Sequence, residues 1–256
     1  MRKPRLRNLH FLQTATIACV IPIAIVVLLA QPSGCAGNSA RLVASAQAHA
    51  DAFDLAQAVV DFESAAKAGC ADAQLAALYL RGWIAARDAY RAGGSPESLA
   101  PVQGTLDQMD MEPLRSRGDA EIARFVLRAA MAAAQSERDE LSLLIEHAVD
   151  LEARRRSANL SAAPIISAHE AAGELWLQVL RYQDARNAYL RARERMGPTR
   201  RVLLGLARTA VRLSDPATAC DQYEKLIASW GSAGTHPAEI DEARSFLRQP
   251  MCATPR

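Results

Sequence analysis

The sequence predicts an all-α protein, with antiparallel helix pairs stacked as an α-solenoid behind an N-terminal signal or anchor segment. Three observations carry that prediction. Apolar residues recur at helical spacing in every long segment of the body. Runs of alternating β-branched residues do not occur outside the leader. Ala185 and Tyr189 recur as Ala219 and Tyr223, an offset of 34 residues, and with only five tyrosines in the chain the tyrosine match carries weight. Thirty-four residues is the length of a helix–turn–helix unit that buries one face against its neighbour.

The leader comes first. Arg2, Lys3, Arg5 and Arg7 precede an apolar run from Ala15 to Ala30, interrupted only by Thr16 and Pro22. A basic start followed by an apolar stretch marks an export signal or a membrane anchor. The run is slightly short of the roughly 20 apolar residues of a comfortable membrane span. The basic side stays cytoplasmic, so the remainder faces outward. Next come Pro32, Ser33, Gly34 and Cys35. A cysteine after small residues resembles a bacterial lipoprotein cleavage site, and lipidation at Cys35 is one expectation. An uncleaved anchor is another, and conventional cleavage near Ala46-Gln47-Ala48 a third. Each places residues beyond about 40 outside the cytoplasm, on the periplasmic side of an envelope. The expected division is 1–35 leader, 36–158 a helical region and 159–256 repeats with a capping helix.

Turn chemistry sets the helix limits. Expected spans are 40–50, 52–68, 71–92, 97–110, 119–135, 137–157, 165–179, 182–196, 200–213, 216–230 and 237–248. Gly93-Gly94 ends one helix, and Ser95 caps the next before Pro96. Asp119 reads as an N-cap for a helix with Ile122, Phe125, Val126 and Ala129 on one face. Leu141, Leu144, Ile145, Ala148 and Leu151 form the next stripe. Asp215-Pro216 separates the two helices of the second 34-residue unit. Ile240, Ala243, Phe246 and Leu247 give the last helix one apolar face, as a cap on an open array requires.

These residues resemble tetratricopeptide repeats over about 166–233, roughly a quarter of the chain. In the first unit Gly173 fits the small position of helix A, and Tyr182, Ala185, Tyr189 and Ala192 fit helix B. In the second, Leu206 and Ala207 fit helix A, while Ala219 and Tyr223 fit helix B. The resemblance implies that a small residue in helix A admits helix B closely, and that the helix B aromatic fills the gap to the next repeat. The match is partial. Ala210 stands where Trp176 gives an aromatic, Leu226 replaces a small residue, and Pro198 falls one place late. Ala58, Phe62 and Ala65, followed by the run 66–74, are similar to a Sel1-like unit and its turn.

Removing the four leader cations from 30 basic and 28 acidic residues leaves a body near neutrality, at −2. A nucleic-acid binder needs a basic field in its folded part, and none is present. Beyond Cys19 in the leader and Cys35, the thiols are Cys70, Cys220 and Cys252. An oxidising compartment allows Cys220 to pair with Cys252. Three leftover thiols cannot all pair within one chain, which makes buried free cysteine the plainer expectation.

No catalytic constellation, cofactor motif or metal motif emerges. His169-Glu170 begins a zinc-helix pattern, but the second histidine it needs at 173 is glycine. One surface pattern remains. Arg201, Leu204, Arg208 and Arg212 share a helix face at steps of three and four. By resemblance these positions line the ligand groove, and the same groove positions in the first unit hold Glu170, Glu174 and Gln178. The alternatives are a solvated polar face and a groove that holds an anionic peptide segment. The expected function is a non-enzymatic, membrane-anchored periplasmic scaffold that binds another protein. The alternative is a cell-envelope enzyme, which a deep polar cleft with converging carboxylates would favour.

Overall fold

The computed structural model describes residues 35–160, 165–230 and 236–252. The basic and apolar leader lies outside them. Among the described residues there are eleven α-helices and no strand. They are α1 (Asn38–Asp51), α2 (Leu55–Lys67), α3 (Ala71–Arg91), α4 (Pro96–Met109), α5 (Gly118–Ala134) and α6 (Arg138–Ser157). Then come α7 (Ala168–Gln178), α8 (Tyr182–Met196), α9 (Arg200–Arg212), α10 (Pro216–Trp230) and α11 (Ala238–Leu247), with a short 3-10 helix at Pro250–Cys252. All eleven expected helices form. No described helix is both long and apolar enough to cross a membrane.

Seven of the helix ends reuse one device. The helices α1, α5, α6, α7 and α9 each end in a residue of positive φ: Phe53, Ser136, Asn159, Leu180 and Ser214. Gly69 and Gly93 serve the same purpose after α2 and α3. In each case the following N–H reaches back to a carbonyl five residues earlier, as in Asp54 to His49, Arg181 to Trp176 and Asp215 to Ala210. This is the Schellman cap, which satisfies the orphan carbonyls of a helix end and reverses the chain. The helix that follows is often capped by a side chain: Asp54 accepts from the Gln57 N–H at 3.0 Å, Ser95 from Ser98 at 3.3 Å, and Asp215 from Thr218 at 3.1 Å. Leu180 and Ser214 are themselves 34 residues apart, so the turn repeats with the packing residues. Asp119 departs from expectation. It sits inside the first turn of α5, where it accepts from Arg117 and from the Ala120 N–H.

The result is five antiparallel pairs, each packed on the next, with α11 on α10 as the final layer. The odd-numbered helices α3, α5, α7 and α9 also touch in sequence and form one row. The hydrophobic core runs without a break from Val43 to Ala185, across the polar stretch Arg154–Asn159. Alanine supplies much of it. Ala46, Ala58, Ala65, Ala123, Ala129, Ala148, Ala171 and Ala185 are fully buried, which lets helix axes approach closely.

The array bends until its last pair meets its first. Arg201, at the start of α9, donates to the Ala50 carbonyl at 3.0 Å and lies 3.5 Å from the Asp51 carboxylate. Phe53, in the α1–α2 turn, stacks on Trp230 at the end of α10, with ring centroids 6.2 Å apart. The Arg200 guanidinium lies over the same indole, 4.6 Å from its centroid.

Two disulfides tie the ends. Cys220 bonds Cys252 and fixes the 3-10 helix to α10. Cys35 bonds Cys70 and fixes the chain ahead of α1 to the start of α3. Cys70, Cys220 and Cys252 are therefore bridged rather than free, with Cys35 as the fourth partner. One sulfur cannot hold both a thioether-linked lipid and a disulfide, so the Cys35–Cys70 bridge and lipidation at Cys35 are alternatives.

Candidate functional site

The packing of the last two pairs is built around one aromatic ring. Tyr189 of α8 lies between Gly173 of α7 and Gly205 of α9. A Cβ on Gly173 would fall 2.7 Å from the ring, and one on Gly205 would fall 2.2 Å from it. Real Cβ atoms do not approach so closely, so both helices require glycine there. Ala192 is fully buried in one cluster with the ring; Ala185, Ala207 and Ala219 are fully buried on α8, α9 and α10, and Tyr223 is 2% exposed. The position opposite Tyr189 in α9 is Gly205, one to two residues before the Leu206 and Ala207 assigned from sequence.

Bending of the array encloses a cavity of about 650 Å³ between the α1–α2 turn, α3, α7, α9 and α11. Phe53 and Leu55 line one end. Trp83, Arg87 and Tyr90 come from α3; Glu170, Glu174, Leu177 and Gln178 from α7. Arg201, Leu204, Gly205, Arg208, Val211 and Arg212 come from α9, and Glu239 and Glu242 from α11. Two tyrosines hold α3 against α7 along its length. Tyr79 O–H donates to the Ile166 carbonyl at 3.0 Å, and Tyr90 O–H donates to the Gln178 carbonyl.

The four α9 residues expected in a groove all lie on this wall, as do Glu170, Glu174 and Gln178. The guanidiniums, however, are not equally free. Arg201 is mostly buried and pairs through Nε with Glu170 Oε1; its other nitrogens serve the carbonyls of Ala50 and Ile165. Burial opposes its charge, but Glu170, Asp51 and Glu174 more than offset that and hold its pKa above the ordinary value. Arg208 grips the Glu242 carboxylate bidentately, at 3.0 and 2.6 Å, and Tyr223 O–H donates to the same carboxylate at 2.7 Å. Burial alone would push Glu242 up, but Arg208 and Tyr223 hold it below the usual carboxylate value. Arg87 pairs with Glu174 at 3.1 Å. Arg212 is exposed at the rim, with no hydrogen bond or ion pair to a described residue. The arginine face is thus in large part an internal ion-pair lattice, and only Arg212 offers an unpaired guanidinium.

The paired carboxylates bear on catalysis. Glu174 and Glu242 are each held by an arginine. Glu170 differs: burial is the largest influence and raises its pKa against the pull of Arg201. Elsewhere, Asp61 Oδ2 meets both Ser45 Oγ, at 2.6 Å, and His49 Nδ1, at 2.9 Å, while Gln57 binds Oδ1. The serine contacts the carboxylate itself rather than the imidazole, so this is no nucleophile–base relay. Among the described residues no three His, Cys, Asp or Glu side chains gather as a metal would need. His169 is buried on α7, and burial, followed by Arg195, lowers its pKa to about 4. It is therefore a neutral imidazole in the folded protein at neutral pH.

Sequence reasoning placed the α7 and α9 walls but not Phe53, Trp83, Tyr90 or Glu242. Nothing in the local sequence marks the first three as meeting α9. Glu242 carried one usable signal. It lies 34 residues after Arg208, as Arg208 lies 34 after Glu174, so these positions share a phase. No family model, curated protein or solved structure matches the chain.

Proposed function

We propose that this chain is a non-enzymatic scaffold of the tetratricopeptide type, anchored to a bacterial envelope membrane on its periplasmic side. Its task is to hold a segment of another protein in the cavity between α3, α7, α9 and α11. The observation that carries this reading is the cavity itself: aromatic and aliphatic surface interleaved with ion pairs, which suits a mixed peptide segment. A carboxylate on that segment finds Arg212 at the rim. The two disulfides fit an oxidising compartment. With Cys35 bridged, attachment falls to the apolar run Ala15–Ala30 rather than to a lipid.

The test is site-specific photocrosslinking in the native membrane. A photoreactive residue replaces Val211 or Leu180 at the cavity, or Leu143 on α6; all three side chains are exposed. A discrete protein adduct from Val211 and Leu180, absent from Leu143, is the expected result. Adducts from Leu143 alone would move the binding face away from the cavity.

The second reading is an envelope hydrolase. The carboxylates on the cavity wall favour it, Glu170 among them, since burial raises its pKa. Glu242 weighs against it: a general acid needs a proton to give, and Arg208 and Tyr223 hold that carboxylate ionised.

A further inference from the structure

The last turns of α6 and α8 meet outside the cavity, and basic side chains gather there. Arg156 Nη2 lies 3.6 Å from Met196 Sδ, which joins the two turns. Arg191 and Arg195 stand one turn apart on α8. Arg195, Arg191 and Arg156 all act on the buried His169 imidazole and disfavour its charged form, so the three guanidiniums share one neighbourhood. All three residues are exposed, and none lines the cavity. Arg191 and Arg195 have no hydrogen bond or ion pair to a described residue.

The charge here is not balanced. Residues 150–160 and 191–196 hold six arginines against three carboxylates, Asp150, Glu152 and Glu194. Glu152 is buried and gives its oxygens to Arg156 and to the Ala168 N–H. Arg155 acts on Asp119 of α5, where Arg117 is held by Asp119 and by Asp72 of α3. Counting those three as well leaves seven arginines against five carboxylates. The stretch 161–164, between α6 and α7, carries no charge. The surplus is local, since the body as a whole is near neutral.

The position of the patch follows from the tether. Four residues, 31–34, separate the apolar run Ala15–Ala30 from Cys35. An extended chain advances at most about 3.6 Å per residue, so an anchor in that run holds Cys35 within about 18 Å of the membrane. Cys35 is bonded to Cys70, which directly precedes α3. Asp72 of α3 pairs with Arg117 at 2.9 Å. Arg155 lies across Gly118, the first residue of α5, so closely that a Cβ there would fall 2.2 Å from Nη1. Contacts between neighbouring helix ends thus lead from the tether to the end of α6. Leu160, which closes the turn after α6, is 54% exposed beside the arginines.

We infer that the patch of Arg156, Arg191 and Arg195 is a docking surface for anionic phospholipid, with guanidiniums on headgroup phosphates and Leu160 among the headgroups. The inference rests on the membrane anchor proposed above, and adds an orientation: the ends of α6 and α8 face the bilayer. Guanidinium forks match phosphate oxygens in pairs. Cations beside an exposed apolar residue are what holds a surface at an anionic interface. Each arginine close to such a surface strengthens binding roughly fivefold. An acidic protein segment would suit the charge as well. The short tether favours lipid, because it keeps this edge beside the headgroups at high effective concentration.

The experiment reconstitutes the full chain, through its own anchor, into nanodiscs of phosphatidylcholine or of an equal mixture with phosphatidylglycerol. A photoreactive residue replaces Leu160, or Leu143 earlier on α6 as the control, and lipid adducts are read by mass spectrometry. Leu160 should label lipid about tenfold more in the anionic discs than in the neutral ones, and Leu143 should label neither. Arg191→Glu with Arg195→Glu should cut the Leu160 adducts about tenfold, whereas Arg212→Glu at the cavity rim should not change them. If the double reversal does not fold, Arg191→Gln with Arg195→Gln decides, and a severalfold loss is expected. Equal labelling in the two discs overturns the inference, and so do adducts that survive in a folded double variant. If the discs label equally while the chain in neutral detergent binds inorganic phosphate, free phosphate is the ligand. Protein adducts at Leu160 in native membranes, in place of lipid, assign the patch to an acidic protein instead. A chain that enters neither disc overturns the anchor and the orientation together; the other failures leave the anchor standing.

Discussion

Gly205 lies against the ring of Tyr189 so closely that a Cβ on the glycine would be 2.2 Å from Cζ. The same ring presses on Gly173 from the other side. One side chain thus sets the distances from α8 to both α7 and α9, and with them the position of the cavity wall.

Gly205→Ala should destabilise the fold by about 1–3 kcal/mol, the usual cost of overpacking. Helix propensity acts in the opposite direction, since alanine is favoured over glycine by up to about 1 kcal/mol. Pairing the change with Tyr189→Leu should make Gly205→Ala nearly neutral. A double-mutant cycle by chemical denaturation measures this, and a Gly205→Ala cost unchanged beside Tyr189→Leu would show that the ring is not the obstacle.

Arg201→Met should cost about 3–5 kcal/mol, because it strands a buried Glu170 carboxylate and releases α9 from the end of α1. Arg201→Met with Glu170→Gln should cost less than the sum of the single changes. Arg212→Glu, at the exposed rim, should leave stability within about 0.5 kcal/mol. Urea midpoints for the four proteins check the ordering.

Stability should fall with acid through His169. Its folded pKa of about 4 lies below the unfolded value near 6.5. The unfolded chain therefore gains a proton first, and the stability present above about pH 6.5 is lost as the pH falls toward 4. Between pH 7 and pH 5 the loss should be about 2 kcal/mol. His169→Gln should flatten that part of the profile, whatever it does to stability at pH 7. An equal slope in the variant would assign the acid sensitivity to other groups.

A non-reducing peptide map should join Cys35 to Cys70 and Cys220 to Cys252, and labelled fatty acid should not enter the chain at Cys35. Replacing Cys220 and Cys252 with serine opens a loop of 32 residues, which chain entropy values at roughly 3–4 kcal/mol. A lipidated Cys35 would instead leave Cys70 as a free thiol that alkylates without reduction.

What the sequence determined by itself is the local architecture. Helix limits are set by interactions within a few residues, such as the Ser95 and Asp215 caps, and those are legible in a single chain. The apolar stripes and the alanine-rich faces likewise state which side of each helix is buried. The 34-residue offset gave the packing of α7 to α10, because a repeated unit must present the same contact surface each time. Long-range closure was not legible. That Arg201 would reach Ala50, 151 residues away, depends on the summed bend of five helix pairs, and no local spacing encodes it. The same bend brought Trp83, Tyr90 and Glu242 to the wall that α7 and α9 provide. It also decided that Arg201 and Arg208 meet carboxylates of their own chain, because a guanidinium leaving water binds the carboxylate that folding has placed beside it.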